Sequence, residues 1–169
     1  MAAATLLFAW IAAPGCAADP GGRAGPPRAG AAEQRPARGD GDARRAEVTL
    51  PGGRRILAEI ADTPERTARG YMFRRHVGEE EGMVFVFPEP GPHPFWMKNT
   101  LVPLDIIWMD DEFKVIHIEP SAPPCEADPC PSYGPLRVAR YVLEVKAGTV
   151  KRERIEVGQR MAISIPEPD

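Results

Sequence analysis

From Ala17 to Arg45 the chain contains no Val, Ile, Leu, Met, Phe, Tyr or Trp. A stretch with nothing apolar to bury cannot offset the entropy of ordering its backbone, so residues 17–45 are expected to form a disordered Ala/Gly/Pro/Arg tether. Of the 169 residues, only 46–167 remain to build a core, enough for a single domain. Charge divides at the same place. The tether carries six Arg against four acids, or +2, and the whole chain is −3. Residues 1–16 carry no charged side chain, so residues 46–169 sum to −5. An acidic domain without a basic stripe has the wrong sign for nucleic acid, and none is expected as a partner.

Ahead of the tether, Ala2–Ala13 is a twelve-residue, largely apolar run. A bilayer span needs about 20 residues, so the run is too short for a transmembrane helix and fits a secretory signal. No Lys or Arg precedes it, which departs from the usual signal. Cys16 follows Ala13-Pro14-Gly15, the position of the lipidated Cys in a bacterial lipoprotein signal, although Pro14 is unusual there. Residues 1–16 therefore read as a signal peptide or lipoprotein signal, with Cys16 lipidated; the alternative is ordinary cleavage that removes or exposes Cys16. Either way the domain is expected outside the cytoplasm, in the periplasm or as an outer-envelope lipoprotein of a bacterium. Its contact with membrane would run only through the N-terminal anchor or signal.

Most of the domain reads as short strands. Val48–Leu50 and Arg55–Ile60 flank Pro51-Gly52-Gly53, a hairpin signal. Thr63-Pro64-Glu65 opens the one clear helix, because Thr caps free N–H groups, Pro wastes none, and Glu suits the positive end. Gly70 can end it. Met83–Phe87 is a continuous apolar run of strand length. Leu104–Met109 and Phe113–Ile118 form a second hairpin around Asp110-Asp111-Glu112, Arg140–Lys146 alternates as a strand does, and Arg160–Ile165 is the last. The expected fold is mainly β, a sandwich or partly closed barrel with one short α-helix after the first hairpin.

Several chemistries are absent from the sequence. It has no Gly-x-Ser-x-Gly elbow, phosphate-cradling glycine loop, His-Glu-x-x-His or Cys-x-x-Cys. Met72, Met83, Met97, Met109, His76, His93 and His117 are soft or borderline ligands suited to copper, but no Met-x-x-Met or His-x-His spacing groups them. No metal and no cofactor is expected. Cys125 and Cys130 bracket Glu126-Ala127-Asp128-Pro129, and in an oxidising compartment they are expected to form a disulfide that holds this loop in one shape.

The densest chemistry lies in Phe95-Trp96-Met97-Lys98-Asn99-Thr100, which leads into Pro103-Leu104-Asp105. Asp105 heads an otherwise apolar strand, where a carboxylate needs hydrogen bonds or a cation. Two readings stay open. In one, Asp105 accepts N–H bonds from the Thr100–Pro103 turn and Lys98 is a surface residue. In the other, Arg69, Met72, Arg74, Trp96, Met97, Lys98, Asn99 and Asp105 line a polar-floored pocket. Glu144 is equally divided: with Arg140 and Lys146 it resembles a solvated strand face, but if the face of Val142 is covered it becomes a buried acid with reason to pair with Arg69 or Lys98.

The segments Arg69-Gly70-Tyr71-Met72-Phe73-Arg74, Gly82–Pro88, Phe95–Thr100, Pro103–Ile107, Pro129–Tyr133 and Tyr141–Gly148 together resemble the domain of unknown function 192 family. The resemblance spans roughly Glu47 to Ile165 and implies a jelly-roll-like β-sandwich. It implies no activity. The expectation is a monomeric cell-envelope module that binds a small polar or anionic ligand. The alternatives are an envelope enzyme using Asp105 or Glu144 as acid or base, and a purely structural module.

Overall fold

The computed structural model describes residues 44–135 and 137–167. The signal, Cys16 with its lipidation, and residues 17–43 of the tether lie outside the described residues. In chain order the elements are β1 (Arg45–Thr49), β2 (Arg55–Ala61), α1 (Pro64–Arg69), β3 (Glu81–Gly91), β4 (Phe95–Trp96) and β5 (Leu104–Met109). They are followed by β6 (Val115–Ala122), β7 (Ser132–Tyr133), β8 (Ala139–Lys146), α2 (Thr149–Glu153) and β9 (Ala162–Ser164).

β1 and β2 form the expected first hairpin, with Gly53 at φ +87° in the turn. The sheet begins at Arg45, and Arg44 ion-pairs with Asp62 and donates to the Pro166 carbonyl at 2.8 Å. Both arginines read as tether from composition. Backbone pairing needs no apolar side chain, however, and Arg45 sits opposite Glu59 in the register. α1 begins as its sequence dictates: the Thr63 hydroxyl accepts the Arg66 N–H at 3.3 Å and Pro64 lies in the first turn. Gly70 ends it at φ 47°, ψ −135°, a conformation that favours glycine. A second helix, α2, lies between β8 and β9.

Seven strands make one sheet in the order β6-β5-β8-β3-β2-β1-β9. All neighbours are antiparallel except β2 and β3, which run parallel because the connection through α1 crosses between them. The sheet curls until its ends approach each other. Val115 donates to the Gln159 carbonyl at 2.8 Å and Met161 to the Phe113 carbonyl at 3.0 Å, around an isolated Lys114–Arg160 bridge. The molecule is thus mainly β, a curled half-barrel, with β4 and β7 as a separate two-stranded sheet. Among the described residues no helix is long and apolar enough to cross a membrane.

Both faces of the central strands are covered. Inside the curl lie Val48, Leu50, Ile56, Val84, Ile107, Met109, Leu143 and Val145. On the outer face Tyr71, Met83, Phe85, Met97, Leu104, Ile106, Trp108 and Val142 form a second core. All six residues of β5 are therefore buried, which is why Leu104–Met109 reads as an apolar run broken only by Asp105. β8 crosses both cores and carries Glu144 on the outer face, between Met83 of β3 and Ile106 of β5.

Candidate functional site

The two buried acids that the sequence singles out lie on opposite faces of the sheet. Asp105 shares its face with Ile107 and Met109, whereas Glu144 lies against Ile106. They cannot belong to one site.

Asp105 is fully buried and saturated. Its Oδ1 accepts the N–H groups of Ser121 at 2.7 Å and Gly148 at 3.1 Å, and its Oδ2 accepts that of Val150 at 2.6 Å. Gly148 caps α2 without a side chain of its own, so Asp105 supplies from β5 the acceptor that the helix start lacks. Its donors come from the end of β6 and the start of α2, and not from the Thr100–Pro103 turn. Nor does it pair with Lys98. The Lys98 ammonium lies 3.0 Å from both oxygens of Asp128, in the loop closed by the Cys125–Cys130 disulfide, and 5.9 Å from the centre of the Trp96 ring. Met97 is buried in the outer core, and its carbonyl accepts the N–H groups of Thr100 and Cys125. Asn99 takes a φ of +58°, and its carbonyl accepts the Phe73 N–H at 2.8 Å. Lys98, Met97 and Asn99 thus shape and pin the loop that carries Trp96.

Arg74 is also engaged. Its guanidinium grips Glu59 with two bonds of 2.7 Å and lies 5.1 Å from the centre of the Tyr71 ring. The Arg74 hydrogen bond, ahead of the cost of burial, holds the Glu59 carboxyl below its ordinary range.

The remaining candidates converge. Arg69, Met72, Trp96 and Glu144 line an open cleft, together with Thr67, Ala68, Gly70, Tyr71, Phe85, Phe95 and Thr100. α1 and the turn after it form one wall, β4 and the following loop the other, and β8 the floor. The Met72–Thr100 bridge joins the walls. Glu144 is 4% exposed, and its Oε2 has no hydrogen-bond partner. A Cβ placed on Gly70 would stand 3.7 Å from that oxygen and 3.4 Å from Phe85 Cζ, so the missing side chain of Gly70 keeps the approach to the acid clear. Burial raises the Glu144 pKa to about 8, against a smaller lowering by Arg74. The acid is therefore predominantly protonated at neutral pH, able to donate as well as accept. Tyr71, buried beside it, has its hydroxyl pushed well above its usual range, first by burial and then by the Glu144 charge. Trp96 stands 55% exposed at the rim.

Sequence reasoning missed Gly70, Tyr71, Phe85, Phe95 and Thr100. Gly70 carries the signal of a helix stop, and Phe85 that of an apolar strand. A second cleft, lined by Glu59, Arg66, Arg69, Gly70, Arg74 and Met83 among others, shares Arg69 and Gly70 with the first. Among the described residues no three His, Cys, Asp or Glu side chains cluster as metal ligands would.

Residues 47–163 match the family model described as Uncharacterized ACR (DUF192). A crystal structure of a protein from Sinorhizobium meliloti 1021, named provisionally as a transcription regulator, is similar at TM-score 0.62 and 34% identity. The match covers 70% of this chain and 92% of that one. A protein of unknown function from Novosphingobium aromaticivorans DSM 12444 is similar at TM-score 0.62 and 33% identity, over 70% of this chain and 83% of that one. No curated protein matches the chain.

Proposed function

Since the chain belongs to the DUF192 family, which brings no activity with it, its function has to be read from its own cleft, and we propose that this cleft binds a small polar molecule through Glu144. The observation that carries this reading is the Oε2 atom of Glu144, buried, unpartnered and lining an opening. A buried polar atom left without a partner costs roughly 1–3 kcal/mol, and a ligand that bonds to it recovers that energy. A purely structural acid would be saturated, as Asp105 is.

Charge narrows the ligand. An anionic ligand is served best by Lys98, Arg69 and Arg74 together, but Lys98 holds Asp128 and Arg74 holds Glu59. Of these three, Arg69 alone lines the cleft without an ion pair among the described residues. An enzymatic role would also run through Glu144, whose proton is held near neutral pH. Among the described residues no second carboxylate and no histidine lines the cleft, so binding is the better-supported reading. The regulator name of the Sinorhizobium relative does not carry over as DNA binding, because residues 46–169 are −5.

We place this module outside the cytoplasm, on the support of the Cys125–Cys130 disulfide and of Ala2–Ala13 followed by Cys16. Metabolic palmitate labelling is expected for the expressed chain and not for Cys16→Ser; an unlabelled, soluble wild type would contradict the anchor.

Binding is tested by amide shift perturbation with a panel of polyols, amides, carboxylates and amines. The expected result is at least one class that moves Gly70, Tyr71 and the Trp96 indole N–H together, with the response lost in Glu144→Leu. No response from any class, or responses scattered away from the cleft, would contradict it.

A further inference from the structure

The cleft leaves two groups of opposite character without partners. Glu144 Oε2 is buried and bonded to nothing. Arg69, the last residue of α1, is exposed and makes no ion pair among the described residues. Both line the same opening, and the wall they share with it includes Met72, Phe95 and Trp96. A ligand that satisfies only one of them leaves the other as it was.

We infer that the ligand is a small zwitterion with an apolar stem, its ammonium on Glu144 and its carboxylate on Arg69, as in an α-amino acid. This rests on the binding reading above and names its ligand class. An ammonium has three donors and a charge, so it fills the open oxygen and favours the ionised form of the acid. Arg69 offers a planar fork that matches a carboxylate. The apolar stem meets the aromatic and thioether wall.

Proton balance gives the inference a signature. The groups that act on Glu144 are Tyr71 and Arg74 from the segment after α1, with Arg69 of α1 lining the same cleft; its neighbours on β3 and β5, Met83 and Ile106, are uncharged. The Tyr71 hydroxyl titrates far above neutral, so of the two acids Glu144 is the one that changes state between about pH 6 and 8. An alkylammonium, with a pKa of about 10, keeps its own proton there and favours ionised Glu144. Binding therefore expels the Glu144 proton to solvent, and affinity rises with pH until about pH 8. A lone carboxylate would prefer the protonated acid, and its affinity would fall over the same range.

The test uses the full chain and an isosteric series: L-alanine, ethylamine, which lacks the carboxylate, and propionate, which lacks the ammonium. Amide shift titrations are run between about pH 6 and 8. L-Alanine is expected to bind at least about tenfold more tightly than either fragment, with affinity rising with pH. Arg69→Ala should reduce it to the level of ethylamine. Glu144→Gln, which mimics the protonated acid, should reduce it to the level of propionate and remove the pH dependence. Propionate binding as tightly as L-alanine, or affinity that falls with pH, overturns the zwitterion. If the three probes fail while another polar class moves the cleft, only the zwitterion is overturned; if every class fails, the binding reading falls with it.

Discussion

Asp105 and Glu144 are both buried acids on adjacent central strands, and the difference between them lies in what surrounds each oxygen. Three backbone N–H groups converge on Asp105, so its charge is fully hydrogen-bonded and it ties β5 to the end of β6 and to α2. Asp105→Ala would strand those donors and is expected to cost about 3 kcal/mol or more, read by chemical denaturation. Lys98→Ala removes only a half-exposed pair with Asp128 and is expected to cost less than about 1 kcal/mol. The two losses should add, because the groups share no partner. A severe Lys98→Ala, or strong non-additivity, would show a coupling that the geometry does not contain.

At the scale of elements, α1 and Gly70 decide whether the cleft is open. Gly70→Ala places a methyl between Phe85 and Glu144 at a φ of 47° and is expected to cost about 1–3 kcal/mol while narrowing the cleft; an unchanged denaturation midpoint would contradict this. α1 was legible from Thr63-Pro64-Glu65 and Gly70 because capping is local chemistry. β3, β5 and β8 were legible from runs of apolar residues or from alternation. β4 and β7 were not, since two-residue strands carry no period, and they frame the loop on which Trp96 stands. The role of Glu144 was hidden for a different reason. Arg140, Glu144 and Lys146 alternate as a solvated face would, and only the packing of Tyr71 and Met97 into the outer core, with Met83 and Phe85 of the neighbouring strand, shows that this face is covered. That Lys98 would find Asp128 was equally invisible, because the two lie thirty residues apart and meet through the loop that the disulfide closes.

At the scale of the molecule, a half-barrel whose central strands are buried on both faces has room for one saturated acid inside the curl and one unsaturated acid beneath the outer core. The second makes stability depend on pH. Glu144 has an ordinary pKa of 4.5 and titrates at about 8 in the fold. Between these values the folded chain holds a proton that the unfolded chain has released, so this contribution is complete below about pH 4.5 and is lost as pH rises towards 8. The direct test is the unfolding free energy of wild type and Glu144→Gln, measured side by side across this window. Wild type should lose stability relative to the variant by up to about 1.4 kcal/mol for each pH unit, levelling off above about pH 8. Parallel curves, or a wild type that gains on the variant as pH rises, would mean that Glu144 is paired as a carboxylate and that the cleft has no open acid at its floor.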